Sequence, residues 1–323
     1  MARYLIRRLL WAVVLFIAVT IVTYIIFFII PADPARAVAG RNPTPQMIKN
    51  ARHYLGLDKP VPVQYALFLK RLVLHFNLGR SFANRESVNS LVGNAAPVTA
   101  SLVFGGVLMW MLIALPIGIL SALRPRSLLD RASMTGVLVG ISAHPVWIGL
   151  IFSYVFGYKL HLTPIAGYCN FFPGTVGAQC EGPVNWAYHM ILPWLTFAAL
   201  FAALYVRMIR ANVLETLNED YVRTARAKGA PEWVVMRSHI LRNAMLPIVT
   251  MLGMDISVGL GGAVFTESIY SLPGLGNTLK QSLDGFDLPT TMGVIVFATL
   301  AIIVINLIVD LLYAVIDPRI RLA

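Results

Sequence analysis

Apolar residues in this chain run in long uninterrupted blocks instead of alternating with polar ones. Leu9 to Ile30 carries no charged residue over 22 positions, and Thr99 to Leu123 carries none over 25. Each exceeds the roughly 20 residues that a helix needs to cross the hydrocarbon core of a bilayer. Comparable blocks follow at about 132–158, 186–206, 246–271 and 290–316. The pattern predicts an all-α integral membrane protein with about six transmembrane helices. The first block is longer than the ~7–15 residues of a signal-peptide core, and Ala37-Val38-Ala39, which mimics a cleavage site, lies well beyond it. That block is therefore expected to remain as a span.

The segments between the blocks add detail. Residues 31–98 form one long outer segment opened by Pro31, Pro34 and Pro45. Thr44-Pro45 reads as a helix N-cap followed by proline at the first helical position, with Gly56 closing that helix. Residues 62–76 form a second, strongly apolar helix carrying Lys70 and Arg71, docked on the bundle or in the outer interface. This divides the chain into 1–98, a first span plus outer helical segment, and 99–323, a core of five spans. Pro116, Pro145 and Pro193 fall within or near the start of blocks and mark expected kinks, which membrane helices tolerate when neighbours satisfy the freed carbonyl. Gly253, Gly259, Gly261, Gly262 and Ala263 crowd the fifth block. Close helix packing and a flexible gate are both consistent with them.

Charged residues make up 13% of the chain, about half the usual globular share, and the net charge is +11. With the N-terminus inside, 15 of the 26 cations lie in inner segments: Arg3, Arg7, Arg8, Arg124, Arg126, Arg131, Arg207, Arg210, Arg223, Arg226, Lys228, Arg237, Arg242, Arg319 and Arg321. The two short outer loops hold only Lys159 and Lys280. This is the positive-inside asymmetry. The basic character thus reports topology, and nucleic acid is not an expected partner. Cys169 and Cys180 both fall in the outer loop after the third span. They are a disulfide candidate on an oxidising face; two free thiols are the alternative, and two soft ligands do not make a metal site.

Three acids interrupt the apolar blocks: Asp255 and Glu267 in or at the end of span 5, and Asp310 late in span 6. Intramembrane acids are costly and face the bundle interior or a wet cavity. Each is a candidate for the substrate pathway, beside structural readings: a turn cap for Glu267, and an ion pair with the basic tail for Asp310. His144 and His189 are lone histidines that read as bundle hydrogen bonders. No HExxH, no catalytic triad and no phosphate-binding GxxxxGK[ST] loop occurs. The chain is therefore not expected to be an enzyme, to hold a cofactor or to bind ATP; if ATP drives it, another chain binds the nucleotide.

The segment from about 207 to 245 is polar, basic and helix-forming, yet lies between two apolar blocks. Gly229-Ala230-Pro231 breaks it, glycine ending one helix and proline suiting the start of the next. A helix–turn–helix on the inner face of a bundle reads as a docking element for a soluble protein.

Asp220-Tyr221-Val222-Arg223-Thr224-Ala225-Arg226-Ala227-Lys228-Gly229, followed by His239-Ile240-Leu241-Arg242-Asn243-Ala244-Met245-Leu246-Pro247, resembles the cytoplasmic "EAA" loop of ABC importer permeases. Arg223-Thr224-Ala225 stands at the Glu-Ala-Ala position, and the stretch from Gly229 to Pro247 is longer than in sugar-type permeases. Both departures are similar to the dipeptide/oligopeptide/nickel branch. Arg7-Arg8-Leu9, Pro31-Ala32-Asp33-Pro34, Leu55-Gly56-Leu57-Asp58-Lys59-Pro60, Thr266-Glu267-Ser268-Ile269-Tyr270, Pro273-Gly274-Leu275-Gly276, Asp310-Leu311-Leu312-Tyr313 and Asp317-Pro318-Arg319 also resemble that branch, in its B-type subunit. Phe76-Asn77-Leu78-Gly79 departs from the branch's usual Gly-Asp-Leu-Gly. The resemblance covers nearly the whole chain. It implies a type I importer permease fold in a bacterial inner membrane with both termini cytoplasmic. It implies a second homologous permease, two cytoplasmic ATPases and an extracytoplasmic binding protein as partners, with short peptides as cargo. Nickel complexes, glutathione or another small solute are the alternative cargo, and an ion-coupled secondary transporter is the competing class. Ala225, Gly229, Ala230, Pro231, Glu232 and Trp233 are the expected ATPase contacts.

Overall fold

The structure is a computed structural model that describes residues 2–26, 35, 44–55, 59–172 and 180–316. Ala37-Val38-Ala39, the Pro31–Pro34 signature, Gly56 and Asp317-Pro318-Arg319 lie outside the described residues. The chain forms two compact units, Met1–Val98 with Pro273–Ala323, and Thr99–Leu272. Residues 273–323 thus cluster with the N-terminal residues and not with 99–272.

The first unit holds α1 (Ala2–Tyr24), α2 (Pro45–Leu55), α3 (Val61–His75), α11 (Leu275–Asp284) and α12 (Leu288–Ile316), together with the first turns of α4 (Val88–Leu123). Thr44 caps α2: its Oγ1 accepts from Met47 N–H at 3.4 Å and its carbonyl from Ile48 N–H at 3.1 Å. α1 and α11 lie along α12. The buried centre is Val88, Val92 and Ala95 of α4 against Leu275 and Val294. Asp287 closes the head of α12. Its carboxylate accepts from Thr290 Oγ1 at 2.6 Å, Ser81 Oγ at 2.5 Å and Phe82 N–H at 2.9 Å. One N-cap side chain thereby also fixes the turn at 81–86, 205 residues away in sequence.

The second unit is built around α7 (Pro183–Leu217), which touches α5 (Leu128–Ser142), α6 (Pro145–Phe152, continued by a π-turn Ser153–Lys159) and α10 (Leu246–Ile269). α8 (Asp220–Ala227) and α9 (Glu232–Ala244) complete it. α4 and α7 meet along an aromatic seam. Trp110 is fully buried, stacked on Phe201 at 4.5 Å between ring centres and flanked by Phe197 and Tyr205. The approach needs glycine opposite it. A Cβ on Gly105 would stand 2.1 Å from Trp194 Nε1, which donates to Ser101 O at 2.9 Å, and a Cβ on Gly118 would stand 2.8 Å from Ile209.

The expected span at 132–158 is not one straight helix with a kink. It is α5 and α6, bent by 107°. Ala143 and His144 are both extended, and His144 Nδ1 accepts from Val146 N–H at 3.3 Å as the N-cap of α6. Proline clashes with helical backbone in the residue before it, so Pro145 starts a helix here instead of bending one. Pro193, in contrast, lies inside the continuous α7. α7 has 35 residues, so it runs well past its expected end at 206 and carries the chain into α8. Among the described residues, four helices are long and apolar enough to span a bilayer, or six if each of two bent pairs counts once.

Replacing Gly105 by valine drives a branched side chain into the Trp194 indole and is expected to cost about 1–3 kcal/mol, read as a lower thermal unfolding midpoint of the purified protein. Gly136→Val, where a Cβ meets nothing within 4 Å, should leave the midpoint unchanged.

Candidate coupling loop and intramembrane polar sites

α8 and α9 form a tight helical hairpin. α8 turns Val222 and Ala225 inward, while α9 contributes Val235 and Ile240, all buried. Asn243 Nδ2 donates to Tyr221 Oη at 3.0 Å, and Asn212 Nδ2 of α7 donates to Ala244 O at 3.4 Å. The turn closes by two backbone bonds, Gly229 N–H to Arg226 O at 2.9 Å and Ala230 N–H to Ala225 O at 3.2 Å. This is the Schellman arrangement, which needs a left-handed residue after the helix cap. Gly229 supplies it, with φ +77°. Pro231 stands just before α9 as its N-cap.

An ion pair bridges the turn. Arg226 Nη2 donates to Glu232 Oε1 at 2.6 Å and Nε to Oε2 at 3.2 Å. The guanidinium holds the Glu232 carboxyl below the usual carboxylate range, and the carboxylate raises Arg226 in turn. Both partners are well exposed, so the fork fixes the turn's geometry more than its stability. Trp233 projects at the tip, 71% exposed, next to the exposed Val234. Of the expected ATPase contacts, Glu232, Pro231, Gly229 and Trp233 are exposed and Ala230 is half-buried. Ala225 sits beneath, buried in the α8–α9 contact. The hairpin is a compact knob with an aromatic tip.

The C-terminal part of α7 is tied to α5 by a charge cluster around the buried Asp130 that the sequence reading did not single out. Arg210 Nε and Nη2 fork onto Asp130 Oδ1 and Oδ2 at 2.6 and 2.9 Å. Ser121 Oγ also donates to Asp130, and Arg126 N–H donates to Oδ2 at 2.8 Å. Ser127 caps α5 by accepting from Asp130 N–H at 3.2 Å. Asp130 is 4% exposed as a residue. The available signal was a lone acid among Arg124, Arg126 and Arg131; counting those arginines as topology charges hid it.

The intramembrane acids are already engaged. Asp255 Oδ2 accepts from Tyr205 Oη at 2.7 Å. Glu267, 0% exposed, accepts from Thr99 Oγ1 at 2.6 Å, and its backbone carbonyl accepts from Leu272 N–H at 2.9 Å. Asp310 stands on the α12 backbone; its side chain lies outside the described residues. Asp255 and Glu267 thus each have their own hydroxyl partner. Of the span-5 glycines, Gly259 makes a close approach, its Cβ position 3.0 Å from Phe197, whereas Gly261 faces open space. Cys169 and Cys180 are brought together with Cα atoms 5.0 Å apart, within the range for a disulfide. His189 Nδ1 lies 3.2 Å from Cys169 Sγ and 2.9 Å from Asn185 O.

Residues 114–322 match the family of binding-protein-dependent transport system inner membrane components, and residues 1–103 match the N-terminal part of such membrane components. The chain belongs to this permease family. A probable D,D-dipeptide transport system permease from Escherichia coli K12 is 37% identical over 98% of this chain and 97% of its own length. A putative peptide transport system permease from Brucella abortus is 34% identical over 99% of both chains. A probable peptide ABC transporter permease from Sinorhizobium fredii is 34% identical over 99% of this chain and 100% of its own length. The crystal structure of an amino acid ABC transporter with histidines superposes with a TM-score of 0.53, covering 70% of this chain and 94% of its own at 15% identity, which supports the fold alone. The protein is thus a multi-pass inner-membrane permease of a binding-protein-dependent ABC transporter. It is not itself catalytic, and ATP is bound by a partner ATPase.

Removing either partner of the buried pair leaves an uncompensated charge or an empty fork. Asp130→Asn and Arg210→Met are each expected to destabilise the permease by about 3–5 kcal/mol, measured by thermal unfolding in detergent. The double change Asp130→Leu/Arg210→Met should cost much less than the sum of the single ones.

Proposed function

We propose that this permease forms half of the translocation path of an importer for di- and oligopeptides, and that the α8–α9 hairpin seats the ATPase. The hairpin carries the proposal. A Schellman turn locked by Arg226–Glu232 and tipped by Trp233 is stiff enough to transmit displacement along α7 and α10. The contact surface is Gly229, Ala230, Pro231, Glu232 and Trp233, with Ala225 supporting it from below. The names of the relatives speak of peptide and dipeptide transport, which supports the cargo class. A second homologous permease supplies the other half of the path, two ATPases dock from the cytoplasm, and a binding protein delivers the ligand outside. The cation asymmetry supports cytoplasmic termini.

In this reading Asp255 lines the path and Tyr205 holds its carboxylate until cargo competes for it. Glu267 and Asp310 remain pathway candidates, and Glu267 also fastens the outer end of α10 to α4 through Thr99. Cys169–Cys180 is a structural staple of the outer loop. The division near residue 98 marks off an N-terminal accessory part along the sequence, which the family matches, ending at 103 and resuming at 114, support, while the unit that this part forms also takes in the C-terminal residues from Pro273.

Affinity purification of the tagged chain from its native membrane is expected to recover a second permease and a P-loop ATPase. Trp233→Glu and Gly229→Arg should each lose the ATPase while keeping the second permease and eluting from gel filtration as a single, smaller, unaggregated species. Retention of the ATPase by both variants would overturn the assignment of this hairpin.

A further inference from the structure

Helix α3 has a face that the bundle does not explain. Gln64, Tyr65 and Phe68 on one side meet the last turns of α1. Thr20 Oγ1 lies 2.9 Å from Tyr65 Oη, and Tyr24 Oη donates to Gln64 Oε1 at 2.9 Å. Tyr24 also packs edge-on against Tyr65 and beside Phe68. These contacts pin α3 at the level where the apolar α1 ends. No residue of α3 is buried.

On the other side, Val63, Leu67, Lys70 and Leu74 follow one another at helical spacing. Val63 is 44% exposed, Leu67 38% and Leu74 63%, and Val73 and Phe76 beside them are more than half exposed. Val22, Ile25 and Ile26, at and just past the end of α1, are also exposed. With 15 residues, α3 is about 22 Å long and too short to cross the bilayer. From Lys59 to Arg85 the chain carries Lys59, Lys70, Arg71, Arg80 and Arg85 and no acid. An aliphatic stripe interrupted by Lys70 and bordered by Arg71, held at the end of a spanning helix, matches the acyl–headgroup boundary. Aliphatic side chains enter the acyl region there, and long cationic ones reach back to phosphate.

We propose that α3 is an interfacial anchor whose Val63–Leu67–Leu74 stripe enters the lipid and whose Lys70 and Arg71 bind anionic phospholipid headgroups. The proposal requires only that the chain is an integral membrane protein and holds for either orientation. A lipid occupant fits better than a protein that comes and goes, because lipid covers the stripe at every stage of a transport cycle.

The test places the photoreactive amino acid benzoylphenylalanine at Leu67 or Leu74 of the full assembled complex in native membranes. Val14 of α1, 54% exposed, serves as the lipid-facing control. Phospholipid adducts at Leu67 and Leu74, as at Val14, are expected. Adducts to a polypeptide, or no lipid adduct where Val14 gives one, overturn the insertion. Headgroup binding is read from co-purified lipid. Lys70→Glu/Arg71→Glu should lower the phosphatidylglycerol-to-phosphatidylethanolamine ratio by about fivefold or more, and Lys70→Arg/Arg71→Lys should preserve it. An unchanged ratio in the charge-reversed complex overturns the headgroup assignment.

Discussion

The Asp130–Arg210 fork is the interaction on which the joining of α4, α5 and α7 depends. A carboxylate this deeply buried is tolerable only if nearly all its acceptor capacity is used. Here Arg210, Ser121 and the Arg126 amide use it together. These groups come from the end of α4, the turn before α5 and the last third of α7, so one charge ties three helices together. α7 then continues to Leu217 and delivers the chain into α8. α7 thus joins the α8–α9 hairpin to α5 through a salt bridge as well as through apolar packing.

The same rule, that buried polarity finds a partner inside the protein, recurs elsewhere, although Trp110 Nε1, Thr163 Oγ1 and Ser268 Oγ are buried without one. Tyr205 satisfies Asp255, Thr99 satisfies Glu267, and Asp287 collects Ser81, Phe82 and Thr290. Tyr270 shares its hydroxyl with Thr196 at 2.7 Å and with the Gly149 carbonyl at 3.1 Å. Where a helix breaks, as at Ala143–His144, the freed groups are recaptured locally by the His144 cap. Lipid offers no hydrogen bonds, so each of these couplings is also a constraint on how helices can be arranged.

The helical class, the blocks and the hairpin turn were legible in the sequence because they follow from local rules. A spanning helix needs about 20 apolar residues, and a Schellman turn needs its Gly229. The 107° break between α5 and α6 was visible only as Pro145. Its size depends on how α6 packs on α7 and α10, which no local pattern encodes. Partners of the intramembrane acids were hidden for a related reason. Tyr205 and Thr99 are uncharged and lie 50 and 168 residues from the acids they bond. Asp130 was masked by the arginines around it, which the topology rule had already explained. Ala225 belongs to the loop motif by position, yet its i,i+3 relation to Val222 turns it into the hairpin's interior.

The central claim is that the Trp233 tip is the seat of the ATP-binding subunit. Its most direct test is a photoreactive group at position 233 of the assembled complex, with the adduct identified by mass spectrometry. The account predicts a covalent product with the ATPase whose yield changes on adding a non-hydrolysable ATP analogue. Adducts only to lipid or to the second permease would contradict it.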